Sequence, residues 1–155
     1  MVDANEIRLA TAADRSGVER CVQLAYAPYI DEIGEAPAPM LDDYGDLIKR
    51  GVVRVADAAG EVVGLIAMWV EPGHLYIDNV AVDLSHRSLG LGAVLLATAE
   101  AAAREAGRSE IRLYTNEAMT SNLGYHQRRG FVETHRATAD GYRRVYFCKS
   151  IDGAA

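Results

Sequence analysis

The chain has 155 residues, half of them hydrophobic and a quarter charged, which is the size and composition of a single globular domain (residues 1–155) with a buried core. Lys and Arg number 16 against 22 Asp and Glu, a formal net charge of −6. That balance argues against nucleic-acid binding through a basic face, but not against an anionic cofactor held by a local Arg and a helix end.

In chain order, Glu6-Ile7-Arg8-Leu9-Ala10 alternates and reads as a first strand. Thr11 to Asp14 supply caps, and Val18, Cys21, Val22, Leu24 and Ala25 recur at near-helical spacing, so a helix is expected from about Asp14 to Tyr26. Pro28, Gly34, Pro37 and Pro39 break the following stretch into a loop, and a short helix is expected from Asp42 to Arg50. Val52 to Ala56, Val62 to Val70 and His74 to Val82 read as an antiparallel meander, its first turn at Asp57-Ala58-Ala59-Gly60. The nearly continuous apolar run from Val62 suits a sheet centre. Gly90 to Ala106 is the strongest helix, with an expected stripe of Leu91, Val94, Leu95, Thr98 and Ala102. A strand from Glu110 to Thr115 completes a right-handed βαβ crossover. A helix from Ala118 to Arg129 and a hairpin of Phe131 to Thr138 and Tyr142 to Ser150, turning at Asp140-Gly141, finish the chain.

No run of about 18 apolar residues is present, so no membrane helix is expected. The N-terminal Met1-Val2-Asp3-Ala4-Asn5-Glu6 does not read as a signal peptide. The only cysteines, Cys21 and Cys148, belong to no C-x-x-C and fit a reducing cytoplasm. No nucleic-acid or membrane partner is expected, and exposed strand edges near the C-terminus are compatible with a homodimer. His74, His86 and His135 have no metal-like spacing, so no metal is expected.

The most informative stretch is Asn79-Val80-Ala81-Val82 followed by Asp83-Leu84-Ser85-His86-Arg87-Ser88-Leu89-Gly90-Leu91-Gly92. A strand runs into a polar loop with an Arg and two glycines, and then into a helix. The first turn of a helix has unpaired N–H groups and a positive dipole end. Glycines let a phosphate approach that backbone closely, and Arg87 can add charge-assisted bonds. A Walker loop is excluded because no Lys follows Gly92. A dinucleotide fingerprint is disfavoured because its third position is Leu95 and seven residues separate Val82 from the first Gly.

Arg87-Ser88-Leu89-Gly90-Leu91-Gly92 fits R/Q-x-x-G-x-G/A without a gap, and so resembles the pyrophosphate loop of the GNAT superfamily of N-acetyltransferases. Asn116-Glu117-Ala118, then Asn122 and Gly130-Phe131, are similar to a second block of that family. The segment from Ala27 to Met40 resembles the substrate-side loop of one bacterial group of small, single-domain members. The resemblance implies an α/β (α+β) fold with a mixed, mostly antiparallel sheet of about seven strands and about four helices. It also implies a parallel strand pair splayed at one end to admit the pantetheine arm of acetyl-CoA. Val80, Ala81 and Val82 would pair with that arm, and Asn122 would touch it. Arg87, Ser88, Leu89, Gly90, Leu91 and Gly92 would hold the pyrophosphate, with Ala93 beginning the helix. The activity implied is acetyl transfer from acetyl-CoA to a primary amine of a small molecule or peptide, by direct attack in a ternary complex.

Such a transfer needs a neutral amine, a polarised carbonyl and help for the leaving thiolate. The Val82 N–H is the candidate for polarisation. Tyr76 and Asp78 stand two apart on one strand and are expected to share a face that continues to Val80. Asp78 is the candidate base. The family's proton-donating Tyr is replaced by His126, with Tyr125 just before it, so the donor is His126, Tyr125 or neither. Asp31, Glu32, Glu35, Asp42, Asp43 and Asp46 form an uninterrupted acidic stretch, either a solvated face or an attractor for a cationic amine. Ile30, Ile33, Pro39 and Met40, with Glu32, are the candidate acceptor pocket. Arg128-Arg129 and Arg143-Arg144 read as solvated basic pairs, one of which could reach the cofactor's 3′-phosphate. The competing reading is a non-catalytic acyl-CoA-binding or sensing module of the same fold.

Overall fold

The computed structural model describes residues 7–151, the side chains of residues 87–89 excepted. Seven strands form one sheet: β1 (Ile7–Leu9), β2 (Val53–Ala58), β3 (Glu61–Glu71), β4 (His74–Val82), β5 (Glu110–Asn116), β6 (Val132–Ala139) and β7 (Tyr142–Ser150), in the order β1-β2-β3-β4-β5-β7-β6. Every neighbouring pair is antiparallel except β4 and β5. The helices are α1 (Arg15–Tyr26), the single turn α2 (Ile30–Ile33), α3 (Tyr44–Lys49), α4 (Leu91–Glu105) and α5 (Thr120–Arg128). No helix among the described residues is long and apolar enough to cross a membrane.

Two cores flank the sheet. On one face α1 and α3 pack Val18, Cys21, Val22, Leu47 and Ile48 onto Val53, Val55 and Leu65. On the other, α4 packs Leu91, Leu95, Leu96, Ala99 and Ala103 onto Ile66, Leu75, Ile77 and Ile111. Coverage on both sides explains why β3 is apolar at successive positions rather than alternating. Gly64 lets α4 approach the sheet: a Cβ there would lie 2.9 Å from Leu91 Cδ2 and 3.3 Å from the Ala81 carbonyl oxygen. Close packing at Gly64 therefore sets where the tip of α4 stands.

The helix faces are rotated slightly from the expected stripes. Leu24 is exposed, and Tyr26 takes its place on the buried side of α1. In α4 the buried ridge runs through residues 91, 95, 99 and 103, leaving Val94, Thr98 and Ala102 half-buried on its flank. The α5 helix starts at Thr120 rather than Ala118, because Asn116 Oδ1 accepts the Ala118 N–H in a turn (2.8 Å) and the Glu117 N–H goes to the Arg143 carbonyl. The helix expected from Asp42 starts at Tyr44, where Asp43 accepts the Asp46 N–H as its cap (3.0 Å). Strand β2 extends through Ala58, so the turn narrows to Ala59-Gly60, both at positive φ.

Strand β4 carries a bulge. Ala67 pairs with Asn79 but Met68 pairs with Ile77, so Asp78 is an extra residue. The expected continuation of the Tyr76–Asp78 face to Val80 is therefore corrected. Beyond the bulge Val80 and Val82 pack with Ile77 against the α4 core, while Ala81 joins the α1 core.

Candidate active site

The parallel ladder between β4 and β5 is short. Leu75 pairs with Ile111 and Tyr76 with Arg112; from there to Val82 strand β4 has no partner on its β5 side. Its other edge remains paired, with Ile66, Leu65 and Gly64 opposite Val80, Ala81 and Val82. The strands thus splay, and the gap opens into a cavity of about 380 Å³. Tyr26, from α1, reaches into the same region and donates its hydroxyl to the Val80 carbonyl (3.0 Å). A carbonyl has two lone pairs, so that bond leaves capacity for a second donor.

The tip of α4 forms one end of this cavity. Gly90 caps the helix in the left-handed conformation (φ 78°), which a glycine adopts without steric cost. The first turn of α4 contains no acidic residue, and its leading N–H groups lack intrahelical acceptors. Gly90, Gly92 and Ala93 line the cavity. A Cβ on Gly92 would lie 2.6 Å from Tyr125 Oη, so only a glycine leaves this approach open with Tyr125 in place. Arg128 and Arg129 stand on the same wall, and the Arg129 guanidinium lies 4.7 Å above the Tyr125 ring. Positive charge, bare N–H groups and a glycine gap fit a diphosphate at this end. The backbone of Arg87, Ser88 and Leu89 belongs to a 3-10 turn leading to Gly90; the placement of their side chains lies outside the described residues. The Leu91 side chain is buried in the core, so only its backbone is available to a ligand.

Asp78, Val80, Ala81, Val82, Asn122, Tyr125 and His126 all line the cavity. Tyr76 does not. It lies in an aromatic row on the sheet, 5.1 Å from the Trp69 ring and 6.2 Å from that of Tyr114, and burial pushes its hydroxyl well above the usual range. Tyr76 lines a second cavity, with His74, Arg112 and Cys148.

Adjacent in sequence, Tyr125 and His126 do different things. The Tyr125 hydroxyl stands over the α4 tip. The His126 ring packs 5.7 Å from Phe131 and 5.6 Å from Phe147, and its buried Nδ1 has no hydrogen-bond partner among the described residues. Burial lowers its pKa from 6.5 to about 4, so the imidazole is neutral at neutral pH and an imidazolium donor is excluded there. Between those pH values the unfolded chain binds more protons than the native state. The stability involved is complete above pH 6.5 and is lost as pH falls through about 4, a loss of about 3 kcal/mol. His126→Phe is expected to flatten this part of the stability–pH curve in urea unfolding. A curve of unchanged slope would assign the acid sensitivity to another group.

The acceptor side differs from expectation. Ile30, Glu32, Ile33 and Met40 do not line the cavity; Ile30 and Glu32 face outward on the single turn of α2, and Ile33 and Met40 pack against the α1 core. Pro39, named in the same candidate pocket, does line the cavity, together with Tyr26, Tyr29, Pro37 and Ala38. This loop is fastened at both ends: Tyr44 donates its hydroxyl to the Pro39 carbonyl (2.6 Å), and Tyr142, from β7, donates to the Ala36 carbonyl (2.7 Å). Arg144, read as solvated, lines the cavity with its guanidinium 4.0 Å above the Tyr114 ring.

Most of the acidic stretch is solvated or locally engaged: Asp31, Glu32 and Glu35 are exposed, Asp43 caps α3, and Asp46 pairs with Arg50. Asp42 is half-buried. Burial, then the Asp78 carboxylate, push Asp42 up to about 8. The acidic run pointed to Asp42 without distinguishing it from its neighbours, and nothing local to Asn79 or Arg144 marked them as wall residues.

This geometry agrees with comparisons to known proteins. Solved structures share the fold at low identity. PaiA N-acetyltransferase from Thermoplasma acidophilum, in complex with coenzyme A, aligns with a TM-score of 0.78 at 16% identity, over 94% of this chain and 98% of that one. IAA acetyltransferase from Bacillus cereus aligns at 0.66 and 19%, over 94% and 98%. A streptothricin acetyltransferase from Bacillus anthracis, in complex with acetyl coenzyme A, aligns at 0.59 and 22%, over 64% and 62%. No curated protein sequence matches the chain significantly. The model of the acetyltransferase (GNAT) family matches residues 18–131, most of the chain and both walls of the splayed pair, and the protein belongs to that family.

Proposed function

We propose that the protein transfers the acetyl group of acetyl-CoA to a primary amine of a small molecule or peptide, by direct attack in a ternary complex. The observation that carries this reading is the gap between β4 and β5, with a helix tip free of acidic residues at one end and the Asp78 carboxyl on its lining. When bound, the thioester supplies an activated acetyl carbonyl. Val82 offers its N–H to the carbonyl oxygen as negative charge develops there. Asp78 accepts the proton that the attacking amine loses. His126 and Tyr125 divide the remaining work: the neutral imidazole hydrogen-bonds the departing sulfur, and the Tyr125 hydroxyl serves the diphosphate at the α4 tip. No metal enters the scheme. The net negative charge argues against a nucleic-acid acceptor, and two cysteines that belong to no C-x-x-C motif fit a reducing cytoplasm.

A panel of primary amines, assayed for free coenzyme A thiol, tests the reading. Thiol release should accelerate when an effective amine is added; a non-catalytic acyl-CoA-binding module would bind acetyl-CoA with no such acceleration. If calorimetry on folded protein detects no binding of coenzyme A, both readings fail. The division of labour has its own signature. His126→Phe is expected to lower kcat about thirtyfold, the loss of a charge-assisted hydrogen bond of about 2 kcal/mol, with acetyl-CoA affinity unchanged. Tyr125→Phe should weaken acetyl-CoA binding about tenfold and spare kcat. The reverse pattern would exchange the two roles.

A further inference from the structure

Three buried side-chain polar atoms among the described residues have no hydrogen-bond partner: Asn79 Oδ1, His126 Nδ1 and Arg144 Nε. All three residues line the same cavity, and at neutral pH only Arg144 is charged. Arg144 stands on β7, where Val145 and Phe147 enter the α4 core and Tyr142, Arg144 and Tyr146 alternate with them on the other face. Its side chain is 12% exposed, against 78% for that of Arg143. Its one carboxylate partner among the described residues is Asp140, whose Oδ2 lies 3.3 Å from Nη2 on a side chain that is 82% exposed. A solvated partner at that distance stabilises a cation little, and a buried cation with spare donors is costly unless something pairs it. Burial opposes the charge, but Tyr146, Tyr114 and Asp140 together hold the Arg144 pKa above its ordinary value, so the guanidinium stays charged. The other cavity cations, Arg128 and Arg129, belong to α5, where Arg129 stacks on the Tyr125 ring over the α4 tip. Arg144 is on the acceptor side instead, two residues from Tyr142, whose hydroxyl fastens the loop at Ala36. Beyond burial, Arg144 and Asp78 act in opposite senses on the Tyr114 hydroxyl, so a cation and a carboxylate both face that side chain.

We propose that Arg144 holds a carboxylate of the acceptor, so that the site takes small amino carboxylates, amino acids above all, in preference to simple amines. The proposal rests on the amine-acetyltransferase reading and names its substrate class. A guanidinium offers a planar fork of N–H donors that matches a carboxylate, and stacking on an aromatic ring leaves the edge of that fork for a ligand. Here the Tyr114 ring supports the plane at 4.0 Å. With its carboxylate at Arg144 and its amine toward Asp78, an amino acid lies across Tyr114. The adjoining wall of Tyr29, Pro37 and Ala38 is largely apolar and suits a hydrophobic side chain. The cavity of about 380 Å³ must also admit the cofactor arm, which limits the acceptor to a small molecule. Binding supplies the buried cation with the partner that the exposed Asp140 does not provide.

The test compares phenylalanine with phenylalaninamide, and leucine with leucinamide, in the thiol-release assay for the full chain and for Arg144→Met and Arg144→Lys. Members of a pair share a side chain, and comparing their kcat/KM ratio between proteins cancels their difference in amine basicity. Arg144→Met is expected to lower the acid-to-amide ratio about thirtyfold, mainly through KM for the acid. Arg144→Lys keeps the charge without the fork and should lower it less; it carries the comparison alone if Arg144→Met does not fold. Calorimetry adds a readout that needs no turnover. With coenzyme A present, N-acetylphenylalanine should bind the wild-type chain more tightly than N-acetylphenylalaninamide and lose that advantage in the variants, while coenzyme A itself binds all three proteins alike. An acid-to-amide ratio that neither variant changes overturns the subsite even if amines are acetylated, as does acetylation of butylamine with both acids refused. A loss of coenzyme A affinity in the variants also overturns it and assigns Arg144 to the cofactor. N-acetylphenylalanine held through Arg144 in a protein that never releases thiol supports the subsite and overturns the acetyltransferase reading instead.

Discussion

Asp78→Asn is expected to lower kcat for amine acetylation by about two to three orders of magnitude, the range associated with removing a positioned general base. Asn preserves the shape of the side chain, so the bulge that places residue 78 at the cavity should survive. What is lost is the capacity to accept a proton. The acidic limb of the kcat/KM profile should vanish or move, because the group whose protonation stops the reaction is gone. Acetyl-CoA affinity, measured by calorimetry, should change little, since the position proposed for the diphosphate is the α4 tip, away from residue 78. An Asn variant with an unchanged acidic limb and near-normal kcat would dispose of the base role.

The second large effect is expected at the other end of the cavity. Gly92→Val should weaken acetyl-CoA binding about a hundredfold, equivalent to losing about 3 kcal/mol of charge-assisted hydrogen bonding. The Cβ falls 2.6 Å from Tyr125 Oη, and the branched methyl groups add bulk above the N–H groups of the first turn. Gly92 does not occupy a positive-φ conformation, so the backbone accepts the substitution, and helix propensity if anything improves. The melting temperature should therefore hold or rise while affinity collapses. Gly92→Ala should be milder, because the Tyr125 side chain can yield at its tip. Full affinity in Gly92→Val would move the diphosphate away from α4.

Much of the fold was legible because its signals are local. The His74–Val82 strand and the Tyr142–Ser150 strand have the ends that alternation and turn residues predict. The loop-and-helix tip was readable because the glycines and the strand-to-helix change lie within one short stretch. The errors have physical causes too. The Tyr76–Asp78–Val80 face failed because period 2 assumes an unbroken ladder, and one extra residue at Asp78 inverts every side chain beyond it. Of the residues expected at the acceptor pocket, Pro39 lines the cavity while Ile33 and Met40 pack against the α1 core, because apolarity serves a core as well as a ligand and does not say which.

The sequence by itself determined the order of elements and the family, and it nominated residues 87–92 as the place for an anion, because all three readings depend on residues adjacent in the chain. The tertiary structure alone decided which carboxylates influence one another. Asp42 and Asp78 lie far apart in sequence, and Asp78 raises the pKa of Asp42 only because the loop fastened by Tyr44 and Tyr142 lies near the β4 bulge. It also decided that His126 is neutral, since an imidazole's charge depends on the rings packed around it, here Phe131 and Phe147, and not on its neighbours in the chain.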